Sequence, residues 1–151
     1  MRERLTTSLK EAMRAGDKPR LSTIRLIQAA LKDKDIEARG AGKEQTSEDE
    51  ILSLLQKLIK QRQESAKIYA ENGRTELAEQ ENAEAAIIAS FLPAQLDEAE
   101  VAAAIEAAIA ETGAEGIKDM GRVIALLKER FAGRLDFAKA SGLVKTRLSQ
   151  G

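Results

Sequence analysis

The 151-residue sequence contains no cysteine, no histidine and no tryptophan. Without cysteine the chain has no disulfide bond, thiolate zinc site or cysteine nucleophile. Without histidine it has no imidazole base, no histidine-relayed triad and no imidazole metal ligand. Because only carboxylate, lysine, tyrosine or serine–lysine chemistry remains, the composition argues against an enzyme, and we predict no catalytic residue, no metal site and no cofactor.

Long apolar runs are absent too. No run of 18 or more apolar residues occurs, so no membrane span is predicted. The N-terminal stretch MRERLTTSLKEAMRAGDK is charged and amphipathic and lacks the apolar segment of a secretory signal. These two absences lead us to expect a cytoplasmic protein.

Proline and glycine are scarce, with two and ten copies, and no stretch of useful length alternates as a β-strand does. Turn and capping residues divide the chain into seven predicted helices. Asp17 is placed to cap one helix and Asp136 another, and Ser47 to Glu50 and Asp97 to Glu100 have the spacing of capping boxes. The sequence therefore predicts an all-α fold.

Pro93 ends one helical run and separates two predicted domains. Residues 1–92 form a helical N-terminal domain whose long antiparallel hairpin turns at Asn72-Gly73-Arg74. Residues 93–151 form a small three-helix C-terminal domain. Helical spacing places Met13, Leu77 and Leu143 among the core residues.

Charge is distributed in blocks along the chain. Residues 1–39 contain ten basic and six acidic side chains, residues 40–92 six and ten, residues 93–116 none and six, and residues 117–151 eight and three. The last block is thus a basic island within a chain of net charge −1. Its cations are Lys118, Arg122, Lys128, Arg130, Arg134, Lys139, Lys145 and Arg147.

Two interpretations of this basic island stay open. Its side chains could simply be the solvated faces of charged helices. They could instead bind the phosphate backbone of a nucleic acid. Stacking on its bases is not expected, because aromatic residues make up only 3% of the chain.

Gly121 and Ser141 also have alternative interpretations. Gly121, in the first turn of a helix, permits either close helix packing or approach of a phosphate to the helix N-terminus. Ser141 and Lys145, four residues apart, have the spacing of a serine–lysine dyad, but an exposed short helix argues against that chemistry.

Several motifs occur in an order that resembles the YqeY family. In the second half they are Phe91-Leu92-Pro93-Ala94-Gln95-Leu96, Asp119-Met120-Gly121-Arg122-Val123 and Gly133-Arg134-Leu135-Asp136. In the first half they are Leu21-Ser22-Thr23-Ile24-Arg25-Leu26-Ile27 and Lys60-Gln61-Arg62-Gln63-Glu64-Ser65. The resemblance covers essentially the whole chain. Where many relatives have glycine, this chain has Phe137, which favours an ordinary helix start capped by Asp136.

The resemblance implies a helical N-terminal domain followed by a smaller helical C-terminal domain. The same module is similar to the tail of the B subunit (GatB) of the tRNA-dependent amidotransferase, where it helps to hold tRNA. By family association alone, this links the chain to a glutamine-dependent carbon–nitrogen ligase whose amide-transfer chemistry resides in other parts of that enzyme.

Three functions follow from the sequence. The first is a non-catalytic accessory module that contacts tRNA or another RNA through the basic island. The second is a protein-interaction module that docks a translation or amidotransferase partner through the hairpin. The third is a free-standing amide-transferring enzyme, for which the sequence supplies no residues.

Overall fold

The computed structural model describes residues 1–150, and within them it contains seven α-helices, one short 3₁₀ segment and no strand. The helices are α1 (Arg2–Ala15), α2 (Lys18–Gly40), α3 (Glu48–Glu71), α4 (Thr75–Ala89), α5 (Glu98–Thr112), α6 (Met120–Phe131) and α7 (Phe137–Ser149). The 3₁₀ segment is Ile117–Asp119. This architecture confirms the predicted all-α fold.

Four helices begin at a side chain that accepts a backbone hydrogen bond from their first turn. These caps are Asp17 of α2, Ser47 of α3, Asp97 of α5 and Asp136 of α7. The box at Asp97 is reciprocal, because the Glu100 amide donates to Asp97 and the Asp97 amide donates to Glu100. Each cap satisfies a backbone N–H that the helix itself leaves without a partner.

The chain divides into two compact units, unit 1 (Met1–Leu92) and unit 2, which begins at Pro93. The core of unit 1 is built from α1, α2, the first half of α3 and the end of α4. Its buried residues are Leu5, Ala12, Ile24, Ile27, Leu31, Ile51, Leu54, Leu55, Leu58, Ile88 and Phe91.

Two predicted core residues of unit 1 lie at the surface. Met13 is 56% exposed, and the neighbouring Ala12 is the buried residue of that turn. Leu77 is also exposed, because it lies three residues after the end of the α3–α4 turn, beyond the reach of the core. Helical spacing gives the direction of a side chain and not whether another element covers it.

Helices α3 and α4 form a hairpin around Asn72 and Gly73. Arg62 Nε lies 3.3 Å from Glu84 Oε2, and the two residues are nearly equidistant from the turn, as antiparallel pairing requires. No buried residue of the unit 1 core lies between Ile59 and Ile87. The outer half of the hairpin is therefore held by its own contacts, with the small side chains of Ala66, Ala78 and Ala85 buried.

A charged clamp joins the start of α1 to α2 and to the segment before α3. The Arg2 guanidinium donates to both carboxylate oxygens of Asp35 at 2.8 and 2.9 Å and to the Thr46 carbonyl at 3.1 Å. The Thr46 amide donates to Asp35 at 2.9 Å. The hydrogen bond from Arg2, and then that from the Thr46 amide, hold the pKa of Asp35 well below its usual range.

In unit 2, α6 packs against both α5 and α7. The buried residues are Ile105, Ala108, Val123, Leu127, Leu135, Ala140, Val144 and Leu148. Phe137 is half-buried against this core, as its position at the start of α7 predicts. Leu143, a predicted core residue, is 45% exposed.

Helices α5 and α7 run in the same direction. The Leu96 amide donates to the Arg134 carbonyl at 3.0 Å just before both helices begin, and Arg147 pairs with Glu106 further along both. The two helices contact each other much less than either contacts α6. A furrow therefore separates them.

Candidate functional site

Three of the eight predicted phosphate-binding cations are paired with acids. Arg122 donates to Asp119 at 2.6 Å, Arg130 to Glu111 at 2.5 Å, and Arg147 to both oxygens of Glu106 at 2.5 and 3.3 Å. Their positive charge is partly neutralised in place.

The pKa values of two of these acids reflect the pairing. The hydrogen bond from Arg130 lowers the pKa of Glu111, and the same bond raises the pKa of Arg130. The pKa of Asp119 is lowered first by the hydrogen bond from the Glu115 amide and then by that from Arg122. Both carboxylates are therefore ionised at neutral pH and hold their arginines.

Arg134 is fixed by the backbone. Its Nε donates to the Ala94 carbonyl at 2.9 Å, and its guanidinium carbon lies 6.0 Å from the centre of the Phe131 ring. The remaining four cations, Lys118, Lys128, Lys139 and Lys145, make no salt bridge with any residue in positions 1–150. Lys128 Nζ lies 6.0 Å from the centre of the Phe137 ring.

A groove of about 650 Å³ lies in the furrow between α5 and α7. Its floor is apolar, with side chains from both helices and from Leu96 and Leu135. Of the eight predicted cations it brings together Arg134, Lys139 and Arg147. The other five, Lys118, Arg122, Lys128, Arg130 and Lys145, are not among its lining residues, so the structure does not gather the predicted site at one cleft.

The two walls of the groove carry opposite charges. Helix α5 contains four glutamates and no lysine or arginine, and α7 contains two lysines and one arginine but no acid. Glu98 and Glu106 line one wall, and Lys139 and Arg147 line the other, with the cap Asp136 at its start. The Arg147–Glu106 salt bridge connects the walls at one end. The arrangement can bind a ligand with an apolar face and charged edges.

No catalytic constellation emerges from the positions that sequence reasoning considered. The Ser141 hydroxyl donates to the Phe137 carbonyl at 2.7 Å, which is an ordinary contact within α7. Among residues 1–150, no three acidic side chains are grouped so as to hold a metal ion. Nor does any helix in this part of the chain combine the length and apolar character needed to cross a membrane.

The packing interpretation of Gly121 is wrong. Gly121 is exposed, and a Cβ atom added to it would have no neighbour within 4 Å. No close helix approach depends on this glycine, and its other interpretation, proximity to a phosphate, stays a prediction.

Sequence reasoning missed the groove, which depends on how α5 and α7 pair across α6. One signal was visible in the sequence, namely the change from residues 93–116, which contain no lysine or arginine, to residues 117–151, which contain eight. That signal locates the two walls but not the distance between them.

A family model described as Yqey-like protein matches residues 2–148. The match confirms the resemblance predicted from the ordered motifs. It spans both units and covers α5, α6 and all but the last residue of α7.

Curated relatives with the same name come from several fungi. The chain is 38% identical to "Altered inheritance of mitochondria protein 41, mitochondrial" of Lachancea thermotolerans over 88 residues, which is 58% of this chain and 46% of that protein. It is 32% identical to the protein of that name from Pyrenophora tritici-repentis over 134 residues, 87% of this chain and 71% of that protein. With the first of these relatives, the matched region spans about half the length of the relative.

These relatives contradict the prediction of a cytoplasmic protein. Each of them is named as mitochondrial. The prediction rested only on the absence of a secretory signal and of a membrane span, and neither absence distinguishes the cytoplasm from other aqueous compartments.

Proposed function

The chain belongs to the YqeY-like family, and from that premise we propose that it is a non-catalytic accessory module that contacts tRNA or another RNA through unit 2. The observation that carries this proposal is the set of four lysines in unit 2 that have no acidic partner among residues 1–150, namely Lys118, Lys128, Lys139 and Lys145.

Unpaired lysines favour an RNA backbone as the ligand. An ammonium group without a neighbouring carboxylate keeps its full charge for a phosphate, and its binding releases counterions from the nucleic acid. Base stacking is not favoured, because both aromatic rings of unit 2, those of Phe131 and Phe137, are packed against the core. The proposed contact therefore recognises the shape and charge of the RNA.

The proposed role beside a glutamine-dependent tRNA amidotransferase rests on the family resemblance alone. On this proposal the module helps to position tRNA, and a translation or amidotransferase partner performs the amide transfer. The side chains described above assign no step of that reaction to this chain.

Salt-dependent binding of unmodified tRNA tests the RNA proposal. If about four phosphates are contacted, the slope of log K against log salt concentration is about −3. We expect the triple variant Lys118→Glu, Lys139→Glu, Lys145→Glu to bind at least about tenfold more weakly at 50 mM salt and to have a shallower slope, because three of those contacts are lost.

A matched control is available on α3 of unit 1. Lys57, Lys60 and Lys67 are exposed and make no salt bridge with any residue the structure describes. Their triple replacement by glutamate gives the same change in net charge, and we expect it to alter tRNA binding by less than about threefold. Equal losses in the two variants, or no binding by the unmodified chain at 50 mM salt, would contradict the proposal.

The hairpin supports docking of a partner protein as a second candidate. Ile68 is 58% exposed, and Leu77 is exposed on the other helix at nearly the same distance from the turn. Replacing both by serine should abolish binding of a purified amidotransferase or translation partner without lowering the affinity for tRNA. Retained partner binding by the folded variant would exclude the hairpin as the docking surface.

A further inference from the structure

We propose that the groove between α5 and α7 is a docking site for an amphipathic helix of a partner protein, one with an apolar face, basic side chains along one edge and acidic side chains along the other. This inference goes beyond the RNA contact, since it concerns a different ligand and the floor of the groove.

The packing of unit 2 provides a place for another helix. Helices α5 and α7 both pack on α6 and contact each other little, so a helix lying between them would complete a four-helix arrangement. Leu143 projects into this space and is 45% exposed, and Val101 of the opposite wall is half-buried. Apolar side chains of a bound helix would cover both, as in other helix-in-groove complexes.

The dimensions suit a short helix. The volume of about 650 Å³ falls within the range of about 300–1,000 Å³ typical of binding clefts. The α5 wall extends over residues 98–106, which correspond to about 12 Å of helix. Two to three turns of a bound helix would therefore contact the floor.

The walls determine which charges the ligand carries. A ligand with charge of a single sign would be attracted by one wall and repelled by the other, because the charged side chains within α5 are all acidic and those within α7 are all basic, with the cap Asp136 as the one acid at the start of the α7 wall. RNA, which is negative throughout, would be repelled by Glu98, while the charge of Glu106 is largely offset by its salt bridge with Arg147. A helix with a basic edge facing α5 and an acidic edge facing α7 complements both walls.

The first test uses synthetic peptides and the full-length chain. A fluorescent 18-residue helical peptide carries leucines along one face, lysines along one edge of that face and glutamates along the other. Two further peptides keep the leucines and have lysines, or glutamates, along both edges. By fluorescence anisotropy we expect the mixed peptide to bind at least tenfold more tightly than either single-sign peptide. Equal affinities for all three peptides, or no binding of the mixed one, would overturn the proposal.

The second test blocks the groove with a matched pair of substitutions. Ala102 and Ala103 are adjacent, exposed residues of α5, and only Ala102 lines the groove. We expect Ala102→Arg to weaken binding of the mixed peptide at least tenfold and Ala103→Arg to change it by less than twofold. Circular dichroism checks that both variants retain their helices. Equal losses in the two variants would show that the peptide binds elsewhere.

The same variants separate this proposal from the RNA proposal. Ala102→Arg adds a positive charge, so tRNA binding should be unchanged or stronger while peptide binding is lost. The double variant Lys118→Glu, Lys145→Glu alters lysines outside the groove, so it should weaken tRNA binding and leave peptide binding unchanged. If Ala102→Arg instead reduced binding of tRNA and peptide in parallel, the groove would be assigned to RNA and the helix proposal would be wrong.

Discussion

In unit 1 a half-buried charged pair, Arg2 with Asp35, joins two elements beside the core, whereas in unit 2 the charges within each outer helix have one sign and the salt bridges between its helices are exposed. Asp35 of α2 receives hydrogen bonds from Arg2 of α1 and from the Thr46 amide before α3. In unit 2, the charges of α5 and α7 lie on the two sides of an apolar groove.

The difference shows two uses of the same residue types. A bidentate, half-buried pair with a third hydrogen bond fixes the positions of chain segments far apart in sequence. Exposed charges separated by sign contribute little to stability, and they create an electrostatic pattern that a ligand can recognise. On these grounds we assign a structural role to the charges of the unit 1 clamp and a binding role to those of unit 2.

The largest expected effects come from the two cores. Leu55→Ala in unit 1 and Leu127→Ala in unit 2 should each cost about 2–5 kcal/mol, because both side chains are fully buried. Among residues 1–150 the core of unit 2 is the smaller one, with eight buried residues against eleven. We therefore expect Leu127→Ala to unfold unit 2 at 37 °C and Leu55→Ala to lower the melting temperature of unit 1 without unfolding it.

The single tyrosine separates the two outcomes. Tyr69 lies in unit 1 and the chain has no tryptophan, so ultraviolet fluorescence reports on unit 1, whereas far-ultraviolet circular dichroism reports on all helices. Leu127→Ala should reduce the helical signal and leave the Tyr69 melting transition unchanged. A Tyr69 transition shifted equally by both variants would show that the units do not unfold separately.

An intermediate effect is expected from the clamp. Asp35→Ala removes the acceptor of three hydrogen bonds, so the Tyr69 transition should fall by about 5–10 °C. Asp33→Ala, on the same helix but exposed, is the matched control and should shift it by less than about 2 °C. If the two variants melted alike, the clamp would have no structural role.

The clamp also predicts a pH dependence. Because folding lowers the pKa of Asp35, its ionised form stabilises unit 1 above the pKa of the unfolded chain, about 4, and this contribution is lost as the pH falls further towards the folded-state pKa. The difference in stability between the unmodified chain and Asp35→Asn should therefore be constant from pH 5 to 8 and decrease below about pH 4. A difference that did not change down to pH 2 would contradict this assignment.

The smallest effect is expected in unit 2. Arg147→Gln breaks the exposed salt bridge with Glu106 and should change the stability of unit 2 by less than about 1 kcal/mol. Chemical denaturation followed by circular dichroism measures this change. A loss above about 2 kcal/mol would mean that this salt bridge is as structural as the clamp, and the contrast between the units would fail.

Local signals in the sequence predicted the local structure well. The caps at Asp17, Ser47, Asp97 and Asp136 all form, because capping depends on residues within one helical turn. The exposure of Leu143 was not predictable in this way, because it depends on the separation between α5 and α7. The basic island was visible in the sequence, but which of its cations find acidic partners is decided by residues from other elements, such as Glu106 and Glu111 of α5.

The hairpin of unit 1 has a consequence for how this architecture can vary. Because the core of unit 1 contains no residue between Ile59 and Ile87, seven residues inserted into each helix of the hairpin would lengthen it by about 10 Å. Every contact of that core would stay in place. The length of the hairpin and the stability of the unit 1 core are thus independent. The distance of the turn at Gly73 from that core can therefore change without a change of fold.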